Sequence, residues 1–307
     1  MAASFNATLS PAQGYAPSLA MTEPVHIIGA SGRTGLALSR TLRAGGVTLV
    51  PVVRNPTKWT AAGLDGEPRP ADVRQPDALR AALSDATRIV SCVHARHTAA
   101  ILAAAPRFAR LVLLGSTRKF TKWPDNHGNG VLAGEAALLA SSRQGVMLHP
   151  TMIYGAQGEN NVQRLAALLR RTRVLPLPGG GRFLVQPIHV SDVVRCICTA
   201  LERPWPDPES LVIAGPEPVS YADFVRAVAA AAGLRRPLIL PFPAAPLILA
   251  ARLTRGVKSI PAVEPGEIRR LMEDKAFDIA PMVAKLHVRP ISLQEGLALT
   301  FGPPQDG

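Results

Sequence analysis

The chain has 307 residues, 47% of them hydrophobic and 18% charged, with a mean hydropathy of +0.15, which excludes a disordered polypeptide and provides for a sizeable core. Its formal charge of +12 raises nucleic acid as a partner, but no run of five or six basic residues occurs and the aromatic residues are not interleaved with arginines, so no nucleic acid is expected. Residues 1–150 hold 16 basic and 8 acidic residues and the remainder 18 and 14; solvated arginines are the first reading of this excess and a basic pocket for a phosphorylated ligand the second.

Residues 1–22, rich in Ala, Ser, Pro and Gly without a basic or apolar block, read as a disordered tail rather than a secretory signal, with Met21 an alternative start. Val25–Ile28 then reads as a strand, Thr34–Ala44 as a helix, Thr48–Val53 as a strand, Asp77–Leu83 as a helix and Arg88–Val93 as a strand. A helix over His97–Ala104, a strand over Leu111–Leu114, a helix over Leu132–Ser142 and a strand over Val146–His149 continue the alternation. Strands and helices at this spacing call for right-handed βαβ units, hence an α/β fold with a doubly wound parallel sheet of Rossmann type. Beyond Pro150 come a basic amphipathic helix over Asn161–Arg171, a turn at Pro178–Gly181, a helix over Ser191–Leu201 and a short strand over Leu211–Ala214. Ser220 caps a helix that runs to Ala232, Pro237–Arg252 reads as a strand, a Pro-rich turn and an apolar helix, and Ser292 opens a last helix towards Leu299. Residues 23–155 are thus read as the core, and 156–307 as a mixed region that completes the sheet and forms a small C-terminal lobe over its carboxyl edge, where such sheets bind ligands.

No window supplies the apolar length of a transmembrane segment, since Pro241, Pro243 and Pro246 break the nearest candidate. The apolar helix near Leu247–Leu253 leaves contact with a membrane surface as a minor reading. Cys92, Cys196 and Cys198 make neither a disulfide framework nor a zinc site, which fits a reducing, cytoplasmic compartment.

Between the first strand and the first helix stands Gly29-Ala30-Ser31-Gly32-Arg33-Thr34-Gly35. Glycines at this spacing allow a sharp turn, close approach of the backbone to a pyrophosphate and tight helix packing, and the helix N-terminus offers free N–H groups and partial positive charge. Gly29, Ser31, Gly32, Arg33, Thr34 and Gly35 are accordingly candidate cofactor-binding residues.

The GxxGxxG spacing resembles that of the extended and atypical short-chain dehydrogenase/reductase family, and further segments are similar from Val25 to about Thr300. Ala71-Asp72-Val73 resembles the family's adenine-contacting D-h-x-D segment, and His149-Pro150-Thr151-Met152-Ile153-Tyr154-Gly155 its R-P-x-x-h-Y-G. His189-Val190-Ser191-Asp192-Val193 is similar to its H-V-x-D-h, and Ser292–Leu297 to its closing helix. The resemblance implies an NAD(P)-dependent epimerase, dehydratase or reductase acting on a small carbonyl or hydroxyl substrate. It also implies Asp72, Val73, His94 and Pro150 at the cofactor, Tyr154 lining the substrate cleft, and Arg182 and Gln186 facing a substrate phosphate. His189 and Asp192 are implied to tie the lobe to the sheet. At the end of the second strand NAD-selective relatives place a carboxylate and NADP-selective ones a cation; Arg54 stands there, with Arg33 in the loop, so NADP(H) is favoured over NAD(H).

Carbonyl-reducing members carry a Tyr and, four residues later, a Lys that lowers the phenol pKa. That pair is missing. Ser116 and Thr117, after the strand ending at Leu114, fall where the family polarises the substrate oxygen, and counting back from Glu135 puts Val131 at the lysine and His127 at the tyrosine. His127, read as a loop residue between Asn126 and Gly128, is the candidate proton donor near neutral pH, with Lys119 and Lys122 as candidate substitutes for the lysine. No metal is expected, because His94 and His97 lack a third ligand at suitable spacing, and Ser116 lacks the glycines of a nucleophile elbow. The alternative is a non-catalytic NADP(H)-binding sensor or accessory subunit, as in NmrA-like proteins or the related accessory subunit of respiratory complex I. The partner is then a small molecule, with a homo-oligomer left open.

Overall fold

The computed structural model describes residues 23–64, 66–156, 158, 161–253 and 265–302; the expectation of a disordered tail over 1–22 lies outside the described residues. In chain order the core elements are β1 (Val25–Ile28), α1 (Arg33–Ala44), β2 (Leu49–Val53), α2 (Pro56–Thr60), β3 (Arg69–Pro70), α3 (Pro76–Ala82) and β4 (Arg88–Ser91). There follow α4 (Thr98–Ala104), β5 (Arg110–Leu114), α5 (Asn126–Leu139) and β6 (Gly145–Pro150). The second part contains β7 (Ile153–Tyr154), α6 (Asn161–Arg171), β8 (Val174–Pro178), β9 (Leu184–Val185), β10 (Ile188–His189), α7 (Val190–Glu202) and β11 (Glu209–Ile213). It closes with β12 (Val219–Ser220), α8 (Tyr221–Ala231), β13 (Leu238–Phe242), α9 (Ala244–Leu253), α10 (Pro265–Arg270), α11 (Ala280–Leu286) and α12 (Leu293–Phe301).

Seven strands form one sheet in the order β11-β6-β5-β4-β1-β2-β3, and every pair in it is parallel. β1 shows why both faces are covered. Val25 and Ile27 pack with Leu38 and Leu42 of α1 and Val193 and Ile197 of α7, whereas Ile28 joins Leu79, Ile101 and Leu138 from α3, α4 and α5 on the other face. A strand buried on both faces has to be largely apolar; β1 reads Val-His-Ile-Ile, its buried His26 lying 3.2 Å from the Asp85 carboxylate. The chain turns from β1 to β2 on one side and to β4 on the other, so the order reverses at β1 and opens a crevice at the carboxyl ends of the strands.

A third core, built from Val162, Leu165 and Leu169 of α6, Phe224, Val225 and Val228 of α8 and Leu297 of α12, belongs to the lobe. Its strands pair in twos: β7 with β10, β9 with β12 and β8 with β13. Buried Asp192 in the first turn of α7 accepts the Ile291 N–H at 3.0 Å and the Arg195 guanidinium at 2.9 Å. His189 caps α7 by accepting the Ser191 N–H at 3.2 Å. Asp192 therefore joins α7, which packs on the sheet, to the segment that leads into α12, whereas the hydrogen bonds of His189 stay within its own turn.

α5 departs from the sequence reading. It begins at Asn126 rather than Leu132, because the Asp125 carboxylate accepts the N–H groups of His127 at 3.0 Å and Gly128 at 2.8 Å. His127 is thus a first-turn helix residue and not a loop residue. The glycines that weaken this helix locally serve packing: a Cβ on Gly134 would lie 2.0 Å from the Ala95 carbonyl oxygen, and one on Gly130 3.0 Å from His94 Cε1. Among the described residues no helix is long and apolar enough to cross a membrane.

Candidate functional site

The loop after β1 is a cradle that only glycine fits. Gly29 has φ +79° and an added Cβ would meet Val93 at 2.8 Å, while a Cβ on Gly35 would lie 2.3 Å from the Gly29 oxygen. Gly32 occupies the N-cap of α1 without a side-chain hydrogen bond, so the first-turn N–H groups stay open toward the crevice. The Gly29 N–H donates to the Val52 carbonyl and the Ala71 N–H to the Val53 carbonyl, both at 2.9 Å, which sets the loop, Arg54 and Asp72 side by side. Arg33 and Arg54 are exposed. Asp72 is gripped by Arg74 through Nη2 at 2.6 Å and Nε at 3.0 Å; these bonds, with a smaller contribution from the field of Arg54, hold its carboxyl well below the usual range. Arg74, which sequence reasoning missed, thereby pairs with an acid that lies in the field of Arg54, while Arg33 and Arg54 stay exposed at the rim. An uncapped helix start and a glycine cradle fit the pyrophosphate of a dinucleotide.

Next to the cradle lies a cavity of about 270 Å3 whose wall includes Thr34, Cys92, His94, Gly115, His127, Val131 and Pro150. His94 Nδ1 accepts both the Arg96 backbone N–H at 3.0 Å and the Arg96 Nε–H at 3.2 Å, so its proton sits on Nε2. That nitrogen lies 3.0 Å from His127 Nδ1, which must accept, and His127 therefore carries its own proton on Nε2. The rings meet edge to face, centroids 4.2 Å apart. Burial, then repulsion by His127 and Arg96, pushes His94 down to about 4; burial and then Arg118 lower His127 as well. Both rings are neutral at neutral pH, so the donor that His127 presents there is a neutral N–H. Val131, one turn later, is buried and apolar.

Ser116 and Thr117 do not line this cavity. Ser116 Oγ accepts the Arg118 N–H at 3.1 Å and Thr117 Oγ1 donates to the Pro150 carbonyl at 3.3 Å, so the threonine proton is already committed. Lys119 is no substitute lysine either: its amine is bonded to Glu135, which also accepts from Ser210 Oγ and lies 3.3 Å from His149 Nε2. His149 Nδ1 in turn accepts the Ser116 N–H at 3.2 Å beneath Gly115, where a Cβ would lie 2.3 Å away. Burial, with Lys119 second, pushes His149 down to about 4. Lys122 is exposed, its backbone N–H bonded to Glu273 at 2.7 Å.

The substrate-facing expectations fare unevenly. Tyr154 is buried against His189, ring centroids 5.2 Å apart, and so is closed off from the cleft. Gln186 is also buried: its amide donates to the Gly215 carbonyl at 2.8 Å and the Phe277 carbonyl at 3.2 Å and accepts the Phe277 N–H at 2.7 Å. Every polar hydrogen of that side chain serves the backbone, so nothing is left for a substrate phosphate. Arg182 is exposed above the Phe183 ring at 5.3 Å. Among the described residues no group of three or more His, Cys, Asp or Glu side chains is placed to hold a metal. A wider depression of about 510 Å3, near Leu49, Glu67, Arg69 and Ala82, lies at the opposite end of the strands from the cradle.

Comparison with known proteins agrees with this geometry. Residues 29–144 match a family described as NAD(P)H-binding. Among solved structures, triphenylmethane reductase from Citrobacter sp. is similar with a TM-score of 0.71 at 15% identity, over 91% of this chain and 99% of that one. UDP-glucose 4-epimerase from Thermotoga maritima with UDP-glucose gives 0.70 at 15% identity over 91% and 97%. UDP-glucuronic acid 4-epimerase from Bacillus cereus, in complex with UDP-glucuronic acid and NAD, gives 0.68 at 15% identity over 91% and 98%. No curated protein matches the chain in sequence. The matched stretch takes in the glycine loop, Arg54 and Asp72. The fold of the chain is shared with these epimerase and reductase structures.

Proposed function

We propose that the chain is an NADP(H)-dependent reductase, or an epimerase or dehydratase using the same hydride chemistry, acting on a small carbonyl or hydroxyl substrate. The observation that carries this reading is the oriented His94–His127 pair at the wall of the cavity beside the cradle. When bound, the cofactor supplies or accepts the hydride. Gly29, Ser31, Gly32, Thr34 and Gly35 hold its pyrophosphate, Arg33 and Arg54 its 2′-phosphate, Asp72 and Val73 its adenine side and His94 and Pro150 its nicotinamide side. Arg96 fixes the tautomer of His94, and His94 that of His127, so an Nε2–H donor is offered to a substrate oxygen without a net charge on the ring. A neutral imidazole in that position polarises a carbonyl as a preorganised donor, and the proton that completes reduction comes from water. The free thiols of Cys92, Cys196 and Cys198 suit a reducing, cytoplasmic compartment.

A second reading has its own support: Val131 where relatives place a lysine, and the Thr117 proton spent on Pro150, favour a protein that binds NADP(H) without turning it over. The two part in one assay. NADPH is mixed with aldehydes, quinones and nucleotide sugars and the absorbance of the reduced nicotinamide is followed. The enzyme reading expects turnover with at least one class, lowered about 100-fold or more in His127→Ala with NADPH affinity kept. Tight NADPH binding with no turnover across the panel supports the sensor instead.

A further inference from the structure

Like 24–64 and 86–124, the stretches 161–191, with five arginines, and 224–263, with five arginines and a lysine, contain no acidic residue. The fold brings parts of them together, because β8 and β13 pair in parallel with Val174 opposite Leu238, Pro176 opposite Leu240 and Pro178 opposite Phe242. Opposed residues of such a pair share a face, and neighbours along a strand point to opposite faces. Leu175, Leu177 and Ile239 pack into the lobe core. Val174, Leu238, Leu240 and Phe242 therefore turn outward, 42%, 57%, 42% and 41% exposed, and Leu249 of the following helix adds another 56%. A solvated strand face normally carries the polar half of an alternating pattern; here both halves are apolar. At the start of the two strands the exposed Arg170, Arg171 and Arg173 precede β8, and the exposed Arg235 and Arg236 precede β13. The Leu238 N–H donates to the Arg173 carbonyl at 2.7 Å, so the two arginine groups begin side by side. Asp223, whose carboxyl feels the field of Arg236, is held by Ser220 at 2.6 Å and Arg226 at 2.7 Å.

We propose that this face docks on an anionic lipid bilayer, the outward Leu and Phe side chains entering the interface and the arginines meeting lipid phosphates. An exposed apolar patch edged by cations has the composition of an interfacial binding surface. A second copy of the chain fits worse, since a two-fold contact through this face would bring five arginines against five. The association is peripheral and independent of the cofactor reading.

Co-sedimentation of the full chain with phosphatidylcholine vesicles, with and without phosphatidylglycerol, tests the proposal, together with sedimentation velocity of the free protein. The expected result is binding to the anionic vesicles at least about tenfold above the neutral ones, weakening as salt rises. Each arginine near an anionic surface contributes about fivefold, so Arg173→Glu combined with Arg236→Glu lowers partitioning by at least about tenfold. Leu240→Ser weakens it too, while thermal midpoint and NADPH affinity stay unchanged in both variants. Equal binding to both vesicle types, or none to either, overturns the proposal without the use of any variant. So does a protein dimer that Leu240→Ser dissociates, which would assign the face to self-association.

Discussion

Gly134→Ala is the sharpest test of how the histidine pair is built. In an ordinary helix interior the change stabilises by about 1 kcal/mol, since alanine restricts the unfolded chain and favours the helix. At this position the new Cβ would stand 2.0 Å from the Ala95 oxygen, 2.7 Å from its carbonyl carbon and 3.0 Å from Thr98 Oγ1. Two of these are backbone atoms, so α5 has to move away from the segment that carries His94. Overpacking against a rigid neighbour costs about 3 kcal/mol at the upper end of its usual range; less the propensity gain, the variant loses roughly 2 kcal/mol. The same displacement carries His127 Nδ1, now 3.0 Å from His94 Nε2, beyond hydrogen-bond distance. Denaturant midpoints at unchanged slope measure the first effect, and NMR of the imidazole protons the second. Gly130→Ala, whose Cβ would approach only side-chain atoms at 3.0 and 3.1 Å, is the milder control. A Gly134→Ala protein as stable as the parent or more so, with the imidazole signals unchanged, would refute the close-packing argument.

Three further outcomes follow from the same geometry. Removing the Asp125 carboxylate as Asp125→Ala takes away the N-cap of α5 and the partner of Arg118, which costs about 1 kcal/mol and frays the turn that carries His127; an unchanged denaturation midpoint would contradict the cap. Glu135→Gln leaves the nearly buried Lys119 amine without its counter-charge, a loss of about 3 kcal/mol, and Glu135→Leu combined with Lys119→Met recovers most of it; a double variant no better than the single one would contradict this. His149 and His189 are both pushed down to about 4, chiefly by burial, against about 6.5 when unfolded. Their contribution to stability is complete above pH 6.5 and is lost as pH falls toward 4, because the unfolded chain then binds protons that the fold refuses. The slope is about 1.4 kcal/mol per pH unit for each histidine, and thermal midpoints that stay flat from pH 7 to pH 5 would show the rings to be charged in the fold.

The core sheet was legible because β1, β2, β4, β5 and β6 are short, mainly apolar runs bounded by polar turns, whereas the edge strand β3, Arg69–Pro70, carries no such pattern and was missed; the cradle was legible because only glycine satisfies its turn and close approaches. The start of α5 was not: Asn126, Gly128, Asn129 and Gly130 have poor helix propensity and hid the helix. Two signals were nonetheless present in Asp125 as a cap and in Gly130 and Gly134, four apart and so on one helical face. Spacing from Glu135 did bring His127 and Val131 to one cavity wall, but the tautomer of the histidine pair depends on Arg96, whose part only the folded geometry reveals. The two-residue strands β7, β9, β10 and β12 are too short to show a period. Gln186 was misread for a related reason: the backbone groups it satisfies lie 29 and 91 residues away, and no local pattern encodes them.

The claim on which the rest depends is that the rim beside the glycine cradle selects a phosphorylated dinucleotide. Calorimetric titration of the full chain with NADPH and with NADH, in the parent and in Arg54→Asp, tests it directly. The expected result is at least about tenfold tighter binding of NADPH, as a charge-assisted guanidinium–phosphate contact provides, with that preference lost in Arg54→Asp. An undiminished NADPH preference in the variant, or no binding of either nucleotide by the parent, would contradict it.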